Sequence, residues 1–304
     1  MIPYKKKEYY DCIDCTLSMM FESYGEDYRK MFIYGFGFHY LKRENILNNI
    51  VAATLVPVQD IIYNYTDLQY NIEFIKQENL EEYIMGRQKM SGILGIDLDA
   101  FYLPWNKYYK VMHRDHNILF DSYDEVNKTL DVYDVYLKPE MLKLDLELLR
   151  SSYKFSYYLT KKETNFQYDD KVKLEQLKDF LKETPEEREE KIQFFIQDIQ
   201  NMVYFDYETK LVDASDFIFF FTDFIWCRVK ALDYIRLLQE HSEHKNLDLI
   251  AEALQKSLPL WKKLRNMIAK NLILKENMCK KRIDKLAPGL IQTEKSLVAF
   301  IDDM

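Results

Sequence analysis

Glycine and proline are scarce in this chain, at seven each in 304 residues. So few leave little room for linkers, collagen-like repeats or glycine-rich phosphate loops. Neither G-x-G-x-x-G nor G-x-x-x-x-G-K-[ST] occurs, so nucleotide binding has no motif behind it. There are four cysteines, without framework spacing, and the basic start Met1-Ile-Pro-Tyr-Lys-Lys-Lys7 runs into no apolar segment. No secretion signal is expected, and the expected compartment is the reducing cytoplasm. Long hydrophobic runs are missing too. The most apolar one, Phe217–Cys227, is about half a membrane span and carries Asp223, so it reads as a core helix and no membrane partner is expected. Positive charge is not in excess: 42 Lys and Arg against 50 Asp and Glu give a net charge of −8, which argues against nucleic-acid binding.

What is abundant is apolar and aromatic. The chain is 48% hydrophobic, with 24 Tyr and 19 Phe, enough for one large domain or two ordinary ones. Ile13, Leu17, Met20, Phe21 and Tyr24 recur at helical spacing, opposite Asp14, Ser18 and Glu22, with Gly25 as a stop. The aromatic run Met31–Phe38 reads as a loop or short strand beside that helix. Residues 43–65, with a break at Pro57, and 75–88 read as helices. Then the period changes: 92–98, 117–120 and 129–134 read as strands, the last two joined by a turn at 122–128. Helical periodicity covers 139–158, 171–204, 214–243, 246–272 and 274–302. The expectation is an α+β fold, with a core over 1–160 and a helical domain over 161–304, the boundary falling near Lys161-Lys-Glu-Thr164.

Cys12 stands at the start of the first helix, where backbone N–H groups and the positive helix end favour a thiolate. A small apolar core residue fits that place equally well. Symmetric pairing about the 122–128 turn puts His116 opposite Asp134, so that a carboxylate orients one imidazole nitrogen and leaves the other free. An exposed cross-strand pair looks the same. Taken together, the order Cys12, His116, Asp134 is that of a papain-like triad, with the helix presenting the thiol and the sheet the base.

Four landmarks carry a more specific resemblance: Cys12 followed by Gly25, the segment Tyr34-Gly-Phe-Gly-Phe-His-Tyr40, the loop Tyr102-Leu-Pro-Trp105, and His116 with Tyr123-Asp124 and Asp134. In this order they resemble the family named for the N-terminal domain of the butirosin-biosynthesis acyltransferase, over roughly residues 8–140. The resemblance implies a papain-like, bacteriocin-peptidase-like core, with the nucleophile helix packed on a small antiparallel sheet and a helical half after it. It also implies acyl transfer in natural-product biosynthesis. A thioester on the phosphopantetheine arm of an acyl- or peptidyl-carrier protein would acylate Cys12, and a small-molecule acceptor, an amine or other nucleophile, would take the acyl group. Cys12, His116 and Asp134 are then catalytic, and Tyr102, Trp105 and His113 are expected to bind substrate. The chain departs from the family pattern at Asp11, often a histidine, and at Val135, where a proline is usual.

Rival readings stand beside this one. The same triad serves a cysteine peptidase or thioesterase, and a non-catalytic binding module could keep the fold. Cys12 and Cys15 also make a C-x-x-C, but neither a thioredoxin context nor two further zinc ligands accompany it, since Cys227 and Cys279 stand alone; no metal or bound cofactor is expected. Cys15 reads as a packed core thiol. His113 is the alternative base and forms an H-x-x-H with His116, while Asp97 and Asp99 face one side of a strand, read first as a solvated sheet face and second as placing one of them near the pocket. The Cys12 N–H offers one oxyanion donor, and no second is identifiable. Lys256–Lys285 is locally basic, which reads as either a solvated face or a dock for an acidic partner. Oligomeric state stays open, a homodimer included.

Overall fold

The computed structural model describes residues 7–43, 49–90, 92–138, 140–163, 170–201, 216–274 and 280–304. Thr164 of the expected boundary, and Lys275, Glu276 and Cys279, lie outside them. Along the chain come α1 (Cys12–Ser23), a 3-10 segment (Tyr28–Phe36), β1 (His39–Leu41), β2 (Ile50–Ala52), α2 (Val58–Tyr65), β3 (Leu68–Glu73), α3 (Leu80–Gln88) and β4 (Leu94–Asp99). There follow β5 (Asp115–Asp124), β6 (Thr129–Tyr133), β7 (Met141–Asp145), α4 (Leu146–Ser152) and β8 (Tyr153–Lys161). The helices α5 (Asp170–Leu181), α6 (Pro185–Gln200), α7 (Asp216–His241), α8 (Asn246–Leu274) and α9 (Lys280–Asp302) complete the order. The fold mixes helix with two antiparallel sheets, as an α+β chain does. No helix among the described residues is long and apolar enough to cross a membrane.

Two compact units divide the chain: Met1–Tyr28 with Val58–Phe166, and Arg29–Pro57 with Gln167–Met304. Thus the expected continuous core over 1–160 is interrupted, because residues 29–57 pack with the C-terminal helices.

In the first unit, six antiparallel strands run in the order β3-β8-β4-β5-β6-β7. Leu94, Ile96 and Leu98 of β4 and Ile118 and Phe120 of β5 pack under α3 and α4, against Leu80, Ile84, Leu146 and Leu149. Successive strand residues alternate faces, so Gly95 and Asp97 turn to the other side. There α1 packs on β5 and β8. The Tyr157 ring lies over Gly95, where a Cβ would come within 2.3 Å of it, and the Tyr157 hydroxyl meets Thr16 Oγ1 of α1 at 2.7 Å. Only glycine lets the helix and sheet approach this closely.

The sequence periodicity misplaces several elements. Residues 139–158 hold β7, a short α4 and most of β8, because β8 is hydrogen-bonded between β3 and β4 and pairing overrides local pattern. Over 43–65, β2 precedes a helix that starts only after Pro57. The 171–204 stretch breaks at Lys182, whose φ is 41°, and restarts where Thr184 and Glu187 form a capping box ahead of Pro185.

In the second unit, Trp261 is fully buried among Phe38, Phe195, Phe221 and Phe224. The apolar run 217–227 is the buried part of α7. Two buried arginines hold the Gly35–Gly37 backbone: Arg188 donates to the Phe36 carbonyl at 2.9 Å, and Arg228 to the carbonyls of Gly35 and Gly37. A Cβ on Gly35 would lie 2.3 Å from the Cys227 carbonyl of α7, and one on Gly37 would lie 2.2 Å from that of Ala53. The Met31–Phe38 run is therefore a 3-10 segment as far as Phe36, clamped within the second unit.

Candidate active site

Cys12 is the first residue of α1. Asp11 caps the helix, its Oδ1 accepting from Asp14 N at 2.8 Å while Asp14 Oδ2 accepts from Asp11 N at 3.1 Å. This reciprocal box gives Asp11 a physical role at the position where the resembled family often has histidine. The helical spacing puts Asp14 on the outer face, yet it is buried, because Tyr28 also donates to its Oδ1 at 2.8 Å. The helix ends as expected at Gly25, with φ of 73° and the Gly25 and Glu26 N–H groups returning to Glu22 and Phe21. Cys15 is fully buried and Cys12 is half-buried.

His116 lies at the start of β5 and is 3% exposed; Asp134, just past β6, is fully buried. Their side chains meet, His116 Nε2 to Asp134 Oδ2 at 2.7 Å. The register differs from symmetric pairing: Phe120 faces Val132, and a shift follows between Phe120 and Ser122. Near His116 the pairing is displaced by two residues, which preserves the face, so the contact forms diagonally rather than directly across.

Asp134 is held by more than His116. Its Oδ2 also accepts from Trp105 Nε1 at 2.8 Å, and its Oδ1 from Leu137 N at 3.0 Å. Burial works against the charged carboxyl, but these hydrogen bonds and the imidazolium hold it below the usual carboxylate range. Burial likewise opposes charge on His116. Hydrogen bonding to Asp134 and to Cys12, with the charges of both, outweighs it and pushes the imidazole up to about 9.

Of the expected substrate-binding residues, Trp105 orients Asp134. His113 is exposed, with Nδ1 2.6 Å from Asp99 Oδ2 and its ring stacked on Phe101. Tyr102, also exposed, lies against Phe101. The structure thus brings together Cys12, His116, Asp134 and Trp105, and sets His113 and Tyr102 in a neighbouring aromatic cluster.

Two side chains at the site, Asn117 and Tyr136, escaped the sequence reading, and Asp97 is more buried than its first reading implies. Asn117 points its Nδ2 at Cys12 Sγ, 3.6 Å away. Asp97, expected on a solvated face, is 3% exposed and pairs across the ladder with Asn117. Burial and the charge of Asp115 push its carboxyl up to about 7, against Lys154, His116 and the Asn117 hydrogen bond. Tyr136 lies 6.3 Å from the His116 ring, and burial followed by the charge of Cys12 raises its phenol. Adjacency to His116 was the one signal that could have pointed to Asn117.

No cluster of three or more His, Cys, Asp or Glu that could hold a metal occurs among the described residues. A groove of about 690 Å³ between β3 and α3 lies elsewhere in this unit; its Arg87 pairs with Glu73 and stacks on Tyr158. No family model matches the chain, and no curated protein matches it.

Proposed function

We propose that this chain is a cysteine-dependent acyltransferase with a papain-like core, related in chemistry to the butirosin-biosynthesis family it resembles. The observation that carries this reading is the buried His116–Asp134 pair, 2.7 Å apart, with the next residue, Asn117, 3.6 Å from the Sγ of Cys12 at the start of a capped helix. A thiol beside an imidazole that a buried carboxylate orients is the arrangement nucleophilic catalysis needs.

In the proposed reaction the proton rests on His116, whose imidazole is raised to about 9, and Cys12 Sγ attacks the carbonyl carbon of a thioester as the thiolate. The tetrahedral intermediate collapses, the leaving thiolate takes the proton from His116, and an acyl-Cys12 remains. An amine acceptor then attacks, giving up its proton to His116 as the Cys12 sulfur leaves. The proposed donor is an acyl- or peptidyl-carrier protein bearing a phosphopantetheine thioester. Exposed Lys262, Lys263, Lys270, Lys280, Lys281 and Lys285 suit an acidic partner of that kind.

Intact-mass measurement after mixing with acyl-loaded carrier protein tests the proposal. Wild type should gain the acyl mass and Cys12→Ala should not, while Cys15→Ala should. Loss of the adduct accelerated by an amine supports transfer, and loss equally fast in water alone makes the enzyme a thioesterase or peptidase. No adduct on Cys12 with any loaded carrier would leave a binding module.

A further inference from the structure

We infer that Asn117 supplies the second oxyanion donor of this site. This rests on the acyl-transfer reading and adds to it the group that stabilises the transition state.

Four N–H groups open a helix without intrahelical partners. At α1 the capping box takes those of Asp11 and Asp14. Among the described residues no hydrogen bond occupies the Cys12 N–H, which leaves it for an oxyanion formed on the Cys12 side chain. One donor is seldom enough, and preorganised pairs are the rule at such sites.

Asn117 is 4% exposed, with Nδ2 3.6 Å from Sγ. An oxyanion shares its carbon with that sulfur, so a donor just beyond contact with Sγ is within reach of the oxygen. Asp97 stands opposite Asn117 in the β4–β5 register. The amide carries two N–H bonds, and its nitrogen faces Sγ, where an oxyanion would form. Rotating it by half a turn would set Oδ1 against the sulfur, acceptor against acceptor. Neither Asn117 Oδ1 nor Asp97 Oδ1 has a hydrogen-bond partner among the described residues, although both are buried. Burying unpaired oxygens costs stability, and such a cost is commonly borne where function needs the group.

During acylation the Sγ–C bond forms as the C=O π pair moves onto oxygen. The oxyanion accepts from Cys12 N–H and Asn117 Nδ2–H, then returns its pair as the C–S bond to the leaving group breaks. Alkylation by iodoacetamide displaces iodide at a saturated carbon and forms no oxyanion. The two reactions at one sulfur therefore separate oxyanion stabilisation from thiol reactivity.

The test measures both rates for wild type, Asn117→Ala and Asn117→Leu, using S-acetyl-N-acetylcysteamine and iodoacetamide, with mass readout at Cys12. Asn117→Leu keeps the volume, removes the donor and adds no charge beside Sγ, which guards against a folding defect in the alanine variant. The ratio of acylation rate to alkylation rate should fall about 100- to 1000-fold in both variants, the cost of one oxyanion donor. Parallel loss of both reactions, or no loss of acylation, overturns the role of Asn117 alone. A wild-type Cys12 that alkylates but is never acylated overturns the acyl-transfer reading and this inference with it.

Discussion

His116 Nε2 and Trp105 Nε1 converge on a single carboxylate oxygen, Asp134 Oδ2, at 2.7 and 2.8 Å. The indole thereby fixes the carboxylate that fixes the imidazole. Trp105→Phe keeps the ring and removes the donor, while Leu137 N–H still anchors Oδ1. Activity should fall about tenfold, the scale of one hydrogen bond to a charged group, in kcat rather than KM. A rise in KM at unchanged kcat would return Trp105 to substrate binding. Asp134→Asn should be far more severe, because an amide can hold the wrong tautomer.

His116 should titrate near 9 rather than 6.5. Since its folded value is raised, its stabilising contribution is complete below 6.5 and is lost as pH rises through 9. Asp134→Asn should lower the titration of the ring and cost stability at pH 6, with the difference shrinking toward pH 10. NMR of the imidazole and thermal melts across pH check both. A ring that titrates at the same pH in the variant would mean that Asp134 is not its partner.

Asp97 works in the opposite direction. Its folded value is raised from 3.8 to about 7, so the fold loses stability as pH rises from about 4 and carries the full cost above 7. Asp115 adds to this cost, while Lys154, His116 and Asn117 relieve part of it. Asp97→Asn should therefore raise the melting temperature at pH 8 and change it little at pH 4. A gain independent of pH would contradict the buried, titrating carboxyl.

The places of Cys12, His116 and Asp134 were readable because each obeys a local rule. Cys12 precedes an amphipathic run that stops at Gly25, and the His116–Asp134 contact survives a two-residue error in register because that shift keeps the face. Asn117 was not readable, since its meeting with Cys12 depends on which sheet face α1 covers. That face is set by Tyr157 over Gly95, on a strand whose sequence looks helical. The Gly35–Gly37 segment was visible as a motif, but its reason lies in Arg228, 193 residues from Gly35.

Glu294 is the charge on which the second unit depends. It is fully buried and accepts from Arg188 Nη1 and Arg228 Nη2 at 2.8 Å each, and from Trp261 Nε1 at 2.7 Å. Burial opposes its charge, but the two guanidinium groups hold it ionised, below the usual range. Glu294→Gln would leave excess positive charge on two buried arginines that also bind the 35–37 carbonyls. Removing one partner of a buried pair costs about 3–5 kcal/mol, so urea unfolding should shift strongly. The Arg29–Glu240 pair gives the contrast: it is bidentate at 2.6 and 2.8 Å, yet Glu240 is half exposed. Glu240→Gln should cost under about 1 kcal/mol. If the two substitutions cost the same, burial is not what makes the Glu294 network matter.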